Sequence, residues 1–210
     1  MAVKEIIYTN KIVAIIRGAV PGDVLKIVEA LQEGGIVLVE VTLNSPSALQ
    51  VIEELSKKTG DKMTIGAGTV LDKAGVQDAI SAGAKFIISP TFLPEVIDTT
   101  KKHGAVSIPA GFTPTEIFSA YSAGADIIKV FPSMGVQYIR DVRAPLSHIP
   151  LMPTGGINLE NIFSFFKAGA VAVGIGTSLV DTKQKITSDY LSMVRKKAGD
   201  FVAAIKTLDK

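Results

Sequence analysis

Two charged residues set inside apolar runs carry the strongest chemical signal in this chain. The segment Asp126-Ile-Ile-Lys129-Val-Phe131-Pro132 places a lysine in a Val/Ile-rich stretch. Alternation along a strand puts Ile127, Lys129 and Phe131 on one face and Ile128 and Val130 on the other. Burial disfavours the charged form of an amine, so Lys129 is a candidate nucleophile for Schiff-base formation with a carbonyl substrate. The alternative is a strand-end lysine that reaches out to water or pairs with a carboxylate. Val37-Leu-Val-Glu40-Val-Thr42-Leu repeats the pattern, with Glu40 and Thr42 on the face of Leu38. A mid-strand carboxylate among β-branched residues is costly unless it is paired or functional. If both side chains share one pocket, Glu40 is a proton shuttle beside the Lys129 nucleophile; a buried salt bridge between the two is the alternative.

Anion-binding chemistry has several candidates. Arg17-Gly18 ends one apolar run, and an arginine there can clamp a carboxylate or phosphate through two parallel hydrogen bonds. Thr69, at the end of Gly66-Ala-Gly68-Thr69, can donate to the same anion. Two glycine-rich turns, Pro153-Thr154-Gly155-Gly156-Ile157-Asn158 and Gly174-Ile-Gly176-Thr177-Ser178, expose backbone N–H groups that favour a phosphate, and a helix N-terminus after them would add its dipole. The plainer reading is that these glycines only make tight turns. The two histidines, His103 and His148, form no H-x-x-x-H or H-x-H arrangement, and there is no cysteine, no G-x-S-x-G and no G-x-G-x-x-G after the first strand. The expected mechanism therefore uses no metal and no cofactor.

These residues need a scaffold, and the chain repeats one. Apolar runs at Ile12–Arg17, Ile36–Leu43, Met63–Gly68, Phe86–Ser89, Ala105–Pro109, Ile127–Phe131, Leu151–Thr154 and Val171–Gly176 read as eight parallel strands buried on both faces. Segments of helical spacing lie between them, such as Asp23–Glu33 and Pro46–Lys58. Gly34, Gly83, Gly104, Gly124 and Gly169 precede strands, where a left-handed glycine stops a helix. Strand ends roughly 20–26 residues apart predict a single-domain α/β fold, a (β/α)8 or TIM barrel with a short N-terminal helix, rather than a doubly wound open sheet. In such a barrel, function sits at the C-terminal strand ends, and the loops after strands seven and eight are its recurrent phosphate site.

Composition excludes other classes. The 210 residues are 47% hydrophobic and 20% charged; 22 Lys and Arg against 20 Asp and Glu give a net charge of +2, with no basic stripe for nucleic acid. The longest stretch free of Lys, Arg, Asp and Glu, Ala144–Leu159, holds three prolines and is no membrane helix. Met1–Asn10 carries Lys4 and Glu5 and lacks a signal-peptide apolar core. A soluble cytoplasmic protein acting on a small molecule is the expectation.

Taken in order, Val39-Glu40-Val-Thr-Leu43, Gly66-Ala-Gly-Thr69-Val70, Ile88-Ser-Pro90, Ile128-Lys129-Val-Phe131-Pro132 and Pro153-Thr-Gly-Gly156-Ile157 resemble the 2-keto-3-deoxy-6-phosphogluconate (KDPG) / 4-hydroxy-2-oxoglutarate aldolases, from about Ile12 to Val180. The resemblance implies a class I lyase, typically a homotrimer. It implies Lys129 as Schiff-base lysine and Glu40 as general acid/base, with Thr69 and an arginine on the carboxylate of the pyruvate half. Phe131 and Pro90 would wall the pyruvyl pocket; Gly155, Gly156 and Ser178 would take the distal phosphate, with Thr154 and Gly176 beside them. Many relatives place an arginine directly after Val-Thr-Leu, where this chain has Asn44, so Arg17 is expected to take the carboxylate. Leu43-Asn44-Ser45-Pro46, with Phe131-Pro132-Ser133 and Gln137-Tyr138-Ile139, is similar to the branch that cleaves the galactonate epimer, whereas Thr154 is typical of the gluconate branch. Two other readings are a non-covalent phosphate-binding barrel, in which Lys129 is purely electrostatic, and a silent barrel that senses sugar acids. A pure binder has no use for a buried amine.

Overall fold

The computed structural model describes residues 1–207 and contains eight short strands, each separated from the next by helix. Helix α1 (Val3–Asn10) leads into β1 (Ile12–Ile16) and α2 (Pro21–Glu33), then β2 (Leu38–Thr42) and α3 (Ala48–Thr59). After a single 3-10 turn at Gly60–Lys62 come β3 (Thr64–Gly68), α4 (Lys73–Ser81), β4 (Phe86–Ser89), α5 (Pro94–Lys102), β5 (Val106–Gly111) and α6 (Pro114–Ser122). The remainder is β6 (Ile128–Val130), α7 (Val136–Arg143), β7 (Leu151–Pro153), α8 (Ile162–Lys167), β8 (Val173–Ile175) and α9 (Ser188–Lys206). Every ladder is parallel, in the order β7-β6-β5-β4-β3-β2-β1-β8, and a parallel bridge between Thr154 and Gly174 closes the circle. The result is the (β/α)8 barrel that the spacing predicts.

The alternation read from the strands sorts the apolar side chains into two cores. Val13, Leu38, Phe86, Ile88, Val106, Ile108, Ile127, Met152 and Ala172 fill the barrel interior, and Ile7 of α1 plugs it from the N-terminal end. A larger set, including Ile16, Val39, Val41, Ile65, Ile128, Val130 and Val173, packs between the strands and the surrounding helices. Leu38 and Ile127 therefore fix the facing of their strands. Glu40 and Thr42 follow Leu38 inward, and Lys129 follows Ile127.

Most strands are shorter than their apolar runs. Ile36 is buried, yet it precedes the β2 ladder, and Ile127 precedes that of β6. Apolar character marks burial, whereas a strand ends where ladder hydrogen bonding ends, so six of the runs overshoot by one to three residues; Phe86–Ser89 coincides with β4, and β5 continues two residues past the expected Pro109, to Gly111. Helix α2 starts two residues earlier than the periodicity, at Pro21, because proline's fixed φ suits the first helical turn.

One expected glycine role is corrected. Gly83, Gly104, Gly124 and Gly169 do take positive φ before their strands, but Gly34 stays right-handed at φ −78°, and its neighbour Gly35 (φ 91°) makes the left-handed stop. Gly34 serves packing instead. A Cβ there would lie 2.6 Å from the Arg195 carbonyl oxygen and overlap Ala198, so only a glycine lets α9 approach α2 this closely. Among the described residues, no helix is long and apolar enough to cross a membrane.

Candidate active site

The C-terminal ends of the strands surround a cavity of about 480 Å3. Arg17, Thr69, Pro90, Lys129, Phe131, Thr154, Gly155, Gly156, Gly176 and Ser178, all anticipated from the sequence, line it together. Glu40 does not line it; fully buried at 0% exposure, it lies behind the wall. Among the described residues, no acidic side chain lines the cavity, while the basic side chains of Arg17 and Lys129 do. Such a surface favours an anionic ligand.

Lys129 stands at the cavity floor, with Glu40 buried behind it. β2 holds Glu40 between Ile15 of β1 and Gly66 of β3, and β6 holds Lys129 between Ala110 of β5 and Met152 of β7. Lys129 Nζ lies 4.0 Å from Glu40 Oε2, with the lysine side chain 5% exposed. That separation is an ion-pair distance but beyond direct hydrogen-bond reach. Neither Glu40 oxygen has a hydrogen-bond partner among the described residues. Burial pushes the Glu40 carboxyl above the ordinary carboxylate range, opposed by the nearby charges of Lys129 and Arg17. Burial is the larger effect, so the Glu40 carboxyl keeps its proton to higher pH than an exposed glutamate does. Phe131 stands over the pair, with the Lys129 amine 5.4 Å from its ring centroid.

Glycines make the room. A Cβ at Gly68 would overlap the Glu40 carboxylate, and one at Gly66 would overlap the Phe86 ring. The Gly-Ala-Gly run of β3 is therefore a hollow in the inner wall that admits one carboxylate and one aromatic ring. Thr69, the next residue, has φ 57°. That left-handed conformation is rare for a β-branched residue and costs about 1–3 kcal/mol; it turns the chain at the rim and leaves Thr69 on the cavity wall.

The glycine-rich turns form the opposite wall. Gly155 (φ 97°) and Gly156 (φ 69°) turn the chain sharply after β7. Among the described residues, the N–H groups of Gly156, Thr177 and Ser178 make no hydrogen bond. The Ser178 hydroxyl donates to the Ile157 carbonyl (2.6 Å), tying the two turns together, so its N–H rather than its hydroxyl is left for an anion. Two features escaped sequence reasoning. No helix follows β8 directly: the turn Gly176–Val180 closes on the Gly176 carbonyl, and α9 begins only at Ser188. Lys197 of α9 also reaches this wall, its Nζ 3.3 Å from the Ser178 carbonyl oxygen. Ile15, Ile157, Asn158, Gly174 and Thr177 line the cavity as well. Continuing the inward alternation of β1 and β8 would have found Ile15 and Gly174. Among the described residues, no three His, Asp or Glu side chains converge to hold a metal ion.

A family model described as "Aldolase: KDPG and KHG aldolase" matches residues 3–196. The chain belongs to the KDPG and KHG aldolase family. It is thus an aldolase, a lyase of carbon–carbon bonds. It is 37% identical over 178 residues to the 2-dehydro-3-deoxy-6-phosphogalactonate aldolase of Escherichia coli K12, covering 83% of this chain and 87% of the relative. A solved structure described as native KDPGal superposes with a TM-score of 0.87 at 35% identity, over 93% of this chain and 94% of that one. The KDPG aldolase of Legionella pneumophila, solved with pyruvate captured at low pH as a covalent carbinolamine intermediate, gives 0.84 at 27% identity, over 93% and 96%.

The raised Glu40 carboxyl makes a sign-definite prediction about stability. Between the unfolded carboxylate value near 4.5 and the higher folded one, the folded chain binds more protons than the unfolded. Glu40 therefore lowers stability progressively as pH rises through that window, and has no such effect below it. Glu40→Gln removes this titration. Denaturant unfolding across pH 4–9 should give a stability difference, variant minus wild type, that becomes more positive with rising pH; a flat or falling difference would mean that the carboxyl ionises freely.

Proposed function

We propose that this chain is a class I aldolase that cleaves a phosphorylated 2-keto-3-deoxy sugar acid of the KDPG type to pyruvate and glyceraldehyde 3-phosphate, through a Schiff base on Lys129. The observation that carries the reading is the buried Lys129 amine at the cavity floor, 4.0 Å from a carboxyl with no hydrogen-bond partner among the described residues. Glu40 is the general acid/base of that reading. Arg17 and Thr69 face the carboxylate, Phe131 and Pro90 wall the pyruvyl half, and the turns at Gly155–Gly156 and Gly176–Ser178 receive the phosphate.

The chemistry follows from these placements. The Lys129 amine, unprotonated, adds to the C2 ketone, and Glu40, directly or through one water, gives the proton that carries off hydroxide as water. The protonated imine left behind is an electron sink. The C3–C4 bond breaks, its electron pair moves into the enamine, and the C4 hydroxyl proton passes to Glu40 as the aldehyde departs. Glu40 returns that proton to C3, and water hydrolyses the protonated imine to free pyruvate and the neutral lysine, the proton released going back to Glu40. One carboxyl serving both directions needs a pKa above the ordinary range, in keeping with its burial.

A second reading, the galactonate epimer as substrate, is favoured by the Leu43-Asn44-Ser45-Pro46 run and by the E. coli relative; Thr154 beside the glycine pair favours the gluconate epimer. Cleavage of 4-hydroxy-2-oxoglutarate to pyruvate and glyoxylate needs the same floor, with a carboxylate in place of the phosphorylated tail. Pyruvate release from the two epimers and from 4-hydroxy-2-oxoglutarate distinguishes these substrates. Lys129→Ala should abolish release from all three while the melting temperature stays within a few degrees, and Glu40→Gln should lower turnover by about 10²–10⁴-fold. Normal activity in Lys129→Ala would refute the covalent route. The proposal extends to a cytoplasmic homotrimer, for which the exposed Phe112, Phe118 and Met134 offer apolar surface; sedimentation should give three times the mass of one chain, and a single-chain mass would refute it.

A further inference from the structure

Among the described residues, Arg17 is the one guanidinium that lines the cavity, and it does so from an exposed loop beyond β1. An exposed arginine samples many rotamers and loses that freedom when it grips a ligand. Here the loop is fastened at three points. The Arg17 carbonyl accepts from the Thr182 hydroxyl (2.6 Å), the Gly18 N–H donates to the Ser45 hydroxyl (2.8 Å), and Arg17 Nη1 donates to Asn44 Oδ1 (3.3 Å). Ser45 is itself anchored: its hydroxyl lies 2.9 Å from that of Thr42, and its N–H donates to the Thr42 carbonyl. Thr42 is fully buried and shares the inward face of β2 with Glu40. A continuous chain of hydrogen bonds thus runs from the barrel interior to the arginine at the rim.

We propose that Asn44 and Ser45 are positioning residues that hold Arg17 toward the cavity, so that its remaining donors meet an anionic end of the substrate. This rests on the aldolase reading for the identity of the substrate. Asn44 occupies one of the five N–H donors, which leaves enough for a two-pronged contact with a carboxylate or phosphate. Its amide is neutral, so it orients the guanidinium without cancelling its charge. A carboxylate at the same position would hold Arg17 at least as firmly but would compete with the substrate for it.

That contrast supplies the test. In the condensation direction the two substrates separate the anions: pyruvate carries only a carboxylate, and glyceraldehyde 3-phosphate only a phosphate. Asn44→Ala should raise KM for pyruvate, whose carboxylate Arg17 faces in the proposed site, by about fivefold, the worth of one orienting hydrogen bond, with the effect on KM rather than kcat; a rise for glyceraldehyde 3-phosphate instead would overturn the carboxylate assignment and put Arg17 on the phosphate. Asn44→Asp should raise the same KM further still, although a mere tether would be restored by it. In an Arg17→Ala background, Asn44→Ala should add nothing. The proposal is overturned if neither KM moves, if Asn44→Asp binds as wild type does, or if the Asn44→Ala effect persists without Arg17. A wild-type chain that does not condense pyruvate with glyceraldehyde 3-phosphate would instead overturn the aldolase reading, an outcome separate from all three.

Discussion

The site depends on burying one carboxyl. Glu40 lies on the inner face of a barrel whose other inward residues at that depth are mostly apolar, and neither of its oxygens finds a hydrogen bond among the described residues. Water would stabilise the carboxylate by several kcal/mol, so the fold carries a standing cost at this position. Several features make sense as consequences. Gly68 has no side chain because a Cβ would occupy the space of the carboxylate. Lys129 stands at 4.0 Å, within ion-pair distance but beyond a direct hydrogen bond.

Around that floor the rim is built differently. In the proposed site the reactive groups, Glu40 and Lys129, sit on strands, where ladder pairing on both sides limits their movement, and the proposed anion-binding groups sit on turns. The bridge between Thr154 and Gly174 closes the barrel beneath the two glycine-rich turns, and the Ser178–Ile157 hydrogen bond ties those turns to each other. Beside them, next to β8, the chain from Thr42 through Ser45 joins the turns after β1 and β2. The rim is thus assembled from paired neighbours rather than independent loops, which keeps cation and N–H donors at a set spacing across the cavity.

Much of this was legible in the sequence, for identifiable reasons. Period-two alternation names the inward face once a single inward residue is known, which is why Glu40, Thr42, Lys129 and Thr154 all point where the pattern puts them. Positive-φ glycines after β7 were legible because a glycine pair before Ile-Asn has few other uses. Long-range packing was not legible. Gly34 looks like a helix stop and instead makes room for α9, more than 160 residues later. The left-handed Thr69 has no local signature, because its strain is imposed by the barrel rim rather than by its own type. Hydrogen bonds between successive loops, such as Arg17 to Asn44, are invisible to any window shorter than a whole βα unit.

The central claim is that Lys129 forms an imine with the keto acid. Borohydride reduction in the presence of pyruvate, followed by proteolysis and peptide mass mapping, tests it without any assumption about epimer or pathway. The account predicts a reduced pyruvyl adduct on the peptide that contains Lys129, and none on the many surface lysines. A folded sample that yields no adduct, under conditions that label a known class I aldolase, would contradict it and leave Lys129 as a buried charge with a purely electrostatic role.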